Sequence, residues 1–222
     1  MQVQGADSSP CKGTYKELVE CRDRVEQEII SKYPTLLERN GDKLTLKPTH
    51  KFAKPKVLKN NHSTYTVIAH YPEQQITLIR FYAHEVFNAF IYHHLHGQYQ
   101  EVFNDIIFSD DNQYMLAFGA DLEAGFSPNA ISVFRLNSWP EIMSSFHTQR
   151  FGVVEAKFLS NDAIQLKTIF FESGGLNGYG YGECSLIRNN DIWQFKDFTC
   201  EKLKKNITHL NLLQSNKYLQ LF

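Results

Sequence analysis

Four histidines, His84, His93, His94 and His96, are the residues of this chain whose type and spacing come closest to metal chemistry. On a strand, His94 and His96 would share a face, with His84 from a facing strand as a third ligand. The helical zinc-protease motif is not met, because Asn88 stands where the second histidine after His84-Glu85 is required. Solvent-facing imidazoles on a hairpin are the plainer reading. Asp121 and Glu123 could form a carboxylate pair for acid/base work or calcium, but the segment lacks the ligand spacing of a calcium loop. A solvated connection, or a partner-contacting loop anchored by Phe126, fits that stretch better. Ser173 precedes Gly-Gly, as serine nucleophiles can, yet nothing in the sequence marks a partner histidine. No catalytic residue, metal site or cofactor is therefore expected.

The most informative stretch is Glu172-Ser173-Gly174-Gly175-Leu176-Asn177-Gly178-Tyr179-Gly180-Tyr181-Gly182-Glu183. It lacks the Gly-Lys-Ser/Thr ending of a phosphate cradle. Tyr, Ser, Gly and Asn are instead the residues with which binding loops fit a protein surface. Glu172, Ser173, Asn177, Tyr179 and Tyr181, with Asp121, Glu123 and Phe126, are the expected partner-binding residues. A floppy solvent loop is the alternative.

The four cysteines fall in two close pairs. An even count so spaced fits bridges Cys11–Cys21 and Cys184–Cys200, one of the three connectivities available, and hence an oxidising compartment. Buried free thiols are the other reading. The second bridge would brace the strand that follows the glycine-rich loop and cut the entropy of ordering it. Residues 1–10 carry neither a basic nor an apolar segment of an export signal, and a mature exported chain with an added initiator Met would look like this.

These groups must be positioned by the elements around them. Tyr15, Leu18, Val19, Val25, Ile29, Ile30 and Tyr33 recur at three- and four-residue steps, which predicts a helix from Gly13 to Tyr33 ending at Pro34. Asn40-Gly41-Asp42 reads as a turn between two short extended pieces, and residues 47–62 as a connecting loop. From Thr64 the period becomes that of strands, at 65–69, 76–81, 89–93, 105–108, 114–118, 130–136, 153–159, 163–170, 184–187 and 192–195. Residues 108–116 align with 158–166: each strand ends on Phe, a Ser/Asp/Asn turn follows, and a second strand begins. A repeat of this length matches propeller blades of four strands. The expected fold is mainly β, an incomplete or irregular β-propeller-like antiparallel meander with an N-terminal helix, and a plain sandwich is the alternative. The organisation reads as a flexible 1–12, a helix and connection over 13–63, a β-rich region over 64–200, and a C-terminal extension over 201–222 packed on the body.

In 222 residues, Lys plus Arg number 23 and Asp plus Glu 24, which argues against nucleic acid. No apolar run is long enough to span a bilayer. Residues 1–59 carry net +4, residues 60–200 net -8 and residues 201–222 net +3. A macromolecular partner of the acidic middle would be basic.

Phe108-Ser109-Asp110-Asp111-Asn112-Gln113-Tyr114 resembles the strand–turn–strand step of propeller repeats. The run from Asp121 to Leu136 is similar to that of small exported bacterial propeller-like proteins. These include periplasmic immunity proteins against cell-wall-degrading toxins of secretion systems such as type VI. The resemblance covers residues 64–200. It implies a non-catalytic, periplasmic or secreted inhibitor that inserts a loop into the active site of a basic effector enzyme. The alternative is a metal-assisted hydrolase built on the histidine group.

Overall fold

A computed structural model describes residues 15–61, 63–83, 86–122, 129–136, 140–148, 151–171, 179–196 and 207–209. The chain divides into two compact units, one within residues 9–104 and one within 105–222.

The first unit opens with helix α1 (Tyr15–Lys32), as the apolar spacing predicts. Strands β1 (Leu37–Asn40), β2 (Lys43–Leu46) and β3 (Lys56–Lys59) follow as an antiparallel sheet in that order. Gly41, at φ +57°, takes the left-handed conformation that the tight β1–β2 turn demands. Strand β3 corrects the reading of 47–62 as wholly loop. It is a short edge strand whose alternation shows only in the buried Leu58 among exposed Lys56, Val57 and Lys59. Then come β4 (Thr64–Tyr71), β5 (Ile76–Ala83), β6 (Val86–His93) and β7 (Gln98–Val102), a four-stranded antiparallel meander. Leu37, Leu44, Leu46 and Leu58 share one core with Val67, Ile79 and Tyr92, and Ile29, Ile30 and Tyr33 of and just beyond the helix pack against it.

The helix also places a carboxylate in this interior. Glu26 is buried beside Arg39 of β1, whose Nε and Nη2 donate to its two carboxylate oxygens at 2.7 and 2.9 Å. The Val67 amide donates to Glu26 Oε2 at 2.7 Å, and Arg39 Nη2 also donates to the Tyr65 carbonyl at 2.6 Å. One ion pair thus ties α1, β1 and β4 together, and the fork of the guanidinium supplies the bidentate geometry.

The second unit holds two further meanders. Strands β8 (Asp105–Phe108), β9 (Tyr114–Phe118), β10 (Asn129–Leu136) and β11 (Pro140–Thr148) form one. The short β16 (Ile207–His209) pairs with the outer edge of β11, so part of the 201–222 extension does join the body. Strands β12 (Phe151–Ser160), β13 (Ala163–Phe171), β14 (Tyr179–Asn189) and β15 (Ile192–Phe195) form the other. Leu116, Phe118, Ile131, Val133 and Phe146 of the first sheet and Phe158, Ile164, Leu166, Leu186 and Trp193 of the second make one apolar cluster. A polar clasp accompanies it: the Trp193 amide donates to Ser144 Oγ at 3.2 Å, and that hydroxyl reaches the Trp193 carbonyl at 3.5 Å.

The fold is mainly β, an irregular propeller-like run of antiparallel meanders with one N-terminal helix. The repeat seen in the sequence is the first turn of the second and third meanders. Asp111 in the β8–β9 turn accepts from Asn161 in the β12–β13 turn at 2.6 Å, so the two equivalent turns touch. Asp111 also accepts from Ser109 Oγ and the Gln113 amide, at 2.7 and 3.0 Å. Desolvation pushes its carboxyl up, but these hydrogen bonds prevail and hold it below the ordinary carboxylate value.

Candidate functional site

The glycine- and tyrosine-rich stretch runs into the start of β14. Glu172, Ser173 and Asn177 lie outside the described residues, as do Glu123 and Phe126. Tyr179 opens β14 opposite Phe171. Tyr181 on β14 is 64 % exposed, a large aromatic presented to solvent. The strand beneath is held firmly: the Thr168 hydroxyl, itself buried, donates to the Gly182 carbonyl at 3.1 Å. A strand paired along its length to β13 therefore carries an exposed ring.

Register and packing bring Tyr181 and the residues Ala120 and Asn129 to one end of this unit. Gly152 on β12 pairs with Ile169 on β13, and Ile169 pairs with Tyr181 on β14. These three residues form one row across the sheet, with Tyr181 roughly 10 Å from Gly152 at the usual strand spacing. Gly152 in turn abuts the 119–129 connection: a Cβ there would lie 2.2 Å from Ala120 Cβ and 2.9 Å from Asn129 Oδ1. Only glycine permits that approach. Asn129 closes the base of the connection, accepting from the Asp121 amide at 2.7 Å and donating to the Asp121 carbonyl at 3.0 Å. Asp121 and Tyr181 accordingly flank the same end of the fold.

The histidines are arranged differently from the expectation. Strand β6 stops at His93, and residues 94–97 form a turn, so strand alternation does not place His94 and His96 on one face. The stacked pair is His93 with His96, their rings 5.0 Å apart and nearly parallel. His84 lies outside the described residues. His94 is fully buried, and both its nitrogens are engaged, Nδ1 with the Lys47 carbonyl and Nε2 with Thr77 Oγ1, each at 2.7 Å. Among the described residues, no group of three or more His, Cys, Asp or Glu is placed to hold a metal ion.

Those contacts fix every proton in a short chain. The Lys47 carbonyl can only accept, so His94 Nδ1 carries the hydrogen and Nε2 is the acceptor. The Thr77 hydroxyl must then donate to Nε2, leaving its oxygen to accept from His70 Nδ1 at 2.8 Å. Burial holds His70 down to about 4, with the charges of His94 and Lys32 adding to it. Burial likewise lowers His93 to about 4, aided by His96 and His94. His94 is lowered by burial despite the opposing effect of its bond to the Lys47 carbonyl. His70 escaped the sequence reading because its partners lie in other strands and only pairing register reveals them.

Cys21 and Cys184 are each in a disulfide, and the expected partners Cys11 and Cys200 lie outside the described residues. Among the described residues, no helix is long and apolar enough to cross a membrane. Compared with protein-family models, with curated proteins and with solved structures, the chain matches none.

Proposed function

We propose that the chain is a non-catalytic binding protein of the exported immunity type, which neutralises a basic effector enzyme by occluding its cleft. The observation that carries this reading is the row Gly152–Ile169–Tyr181, which sets the exposed Tyr181 and the base of the Asp121 connection at one end of a two-sheet unit. A large aromatic on a fixed backbone is the usual anchor of a protein interface. The acidic excess of residues 60–200 would steer a basic partner toward it. The disulfides at Cys21 and Cys184 favour an oxidising compartment such as the periplasm. His94 spends both nitrogens on the fold, which withdraws it from metal ligation.

Affinity capture from the native periplasm, with the full chain and with a chain lacking 174–178, which spares β14, tests the proposal. The account expects an enzyme to be retained by the full chain, to lose activity at one-to-one stoichiometry, and to escape the shortened chain. Equal retention by both chains would remove the loop from the interface.

A further inference from the structure

The first unit carries a surface that this function does not use. Between Asp42 and Glu73 the chain has six lysines, at 43, 47, 51, 54, 56 and 59, with neither an arginine nor an acidic residue. Lys47 is neutralised by Glu38 at 2.6 Å. The other five are exposed, and among the described residues none of them has an acidic partner. Lysines commonly protect an edge strand from pairing, which accounts for Lys56 and Lys59 on β3. It does not account for Lys51 and Lys54, which sit in the loop before it. Nor does it account for Lys43 standing directly opposite Lys59 across the β2–β3 ladder, a like-charged pair that costs stability.

Large apolar side chains stand among these charges. Phe52 is 78 % exposed, Val57 53 % and Leu95 40 %. Phe52 is displayed by a short turn in which the Ala53 amide donates to the His50 carbonyl at 3.1 Å. Lys51 Nζ lies 4.8 Å from the centre of its ring. The Thr49 amide donates to the His94 carbonyl at 2.8 Å, which fastens the Phe52 loop beside the turn that bears Leu95. Gly97 completes that seam, at φ +65° and with Ala53 Cβ only 2.9 Å from where its own Cβ would be. The display is thus built into the fold.

From this we infer that the 51–56 surface docks on an anionic phospholipid bilayer, with Phe52 and Leu95 entering the interfacial layer and Lys51, Lys54 and Lys56 lying against the headgroups; strand alternation turns Lys59 and its partner Lys43 to the other face of β3. Charge complementarity selects an anionic occupant. The choice of lipid follows from the residue types: compact ammonium groups around exposed apolar tips suit a diffuse layer of headgroups, whereas recognition of individual nucleic-acid phosphates draws on the forked geometry of arginine, absent from this stretch. Exposed aromatic and aliphatic tips between lysines match surface-seated, non-spanning membrane contacts. This inference is independent of the protein-binding end of the other unit.

Sedimentation of the full chain with vesicles tests it, comparing pure phosphatidylcholine with phosphatidylcholine containing about a third phosphatidylglycerol. Binding is expected to the mixed vesicles alone and to weaken on raising salt. Each lysine near such a surface multiplies partitioning roughly fivefold, so K51A/K54A/K56A together should lower it by about a hundredfold. Phe52→Ser should reduce it several-fold, and Phe52→Trp should retain binding and be quenched by brominated lipid. These exposed positions leave the core intact, which an unchanged melting temperature verifies. No sedimentation with the mixed vesicles, binding indifferent to these substitutions, or tighter binding to a duplex oligonucleotide than to the vesicles would each overturn the assignment.

Discussion

At Glu26 the helix supplies a carboxylate to the interior of the first unit. The side chain accepts from Arg39 and from the Val67 amide. Removing it would leave the largely buried Arg39 guanidinium with only the Tyr65 carbonyl, and the Val67 amide without its acceptor. Breaking a buried pair in this way costs about 3–5 kcal/mol, so Glu26→Ala should show that loss in urea unfolding. A loss below about 1 kcal/mol would mean the pair is solvated and dispensable. Gly152 makes the opposite demand, for space rather than a partner. Gly152→Ala places a methyl inside the Ala120 contact, where the obstacle is backbone as well as side chain, at 2.5 Å from Ala120 Cα. Overpacking of this kind costs about 1–3 kcal/mol. Because the strain falls between β12 and the 119–129 connection, the same substitution should weaken partner binding at that end. Neither residue could be singled out from the sequence, since Glu26 reads as a surface charge and Gly152 as an ordinary glycine until the register is known.

Among the elements, those with strong local signals were legible. Helix α1 follows from its apolar spacing, and the strands at 76–81, 114–118 and 130–136 from runs of branched and aromatic residues. The 108–116 and 158–166 alignment also located two equivalent turns that meet through Asp111 and Asn161. Strands β7 and β11 were missed for a shared reason. Gln98-Tyr99-Gln100-Glu101-Val102 is a polar edge strand, and β11 holds Ser144 and Ser145, whose hydroxyls bond to Trp193 and Ser132 inside the sheet pair. Their β character comes from cross-strand partners and not from composition. The His70–Thr77–His94 chain belongs to this scale, because it links β4, β5 and the turn after β6 to the Lys47 carbonyl. Each of His70, His93 and His94 has its folded value lowered from 6.5. Below pH 6.5 the unfolded chain therefore binds protons that the folded chain refuses, and stability is lost as pH falls toward about 4. Thermal melting between pH 7 and 5, above most carboxylate titration, should show a falling midpoint, and His70→Gln should make the fall shallower. A midpoint constant over that range would contradict the buried neutral histidines.

For the whole molecule, the sequence conveyed the fold class better than the arrangement within it. Residues 64–200, which read as one β-rich region, contribute one meander to the first compact unit and two to the second. Side-chain periodicity marks strands without saying which cores they join. Composition offered Tyr181 only as one of several candidate contacts, and its place beside Asp121 required the pairing of β12, β13 and β14. Oxidation also acts at this scale: full reduction should raise the mass by about 4 Da and lower stability by about 2–5 kcal/mol for each bridge lost. An unchanged mass would remove the argument for an oxidising compartment. The central claim is that an exposed ring on a paired strand grips a protein partner, and calorimetric titration of the captured effector enzyme with the parent chain and with Tyr181→Ala tests it most directly. The account predicts one-to-one binding weakened at least tenfold by the substitution, with an unchanged melting temperature. Equal affinity for the two chains would contradict it.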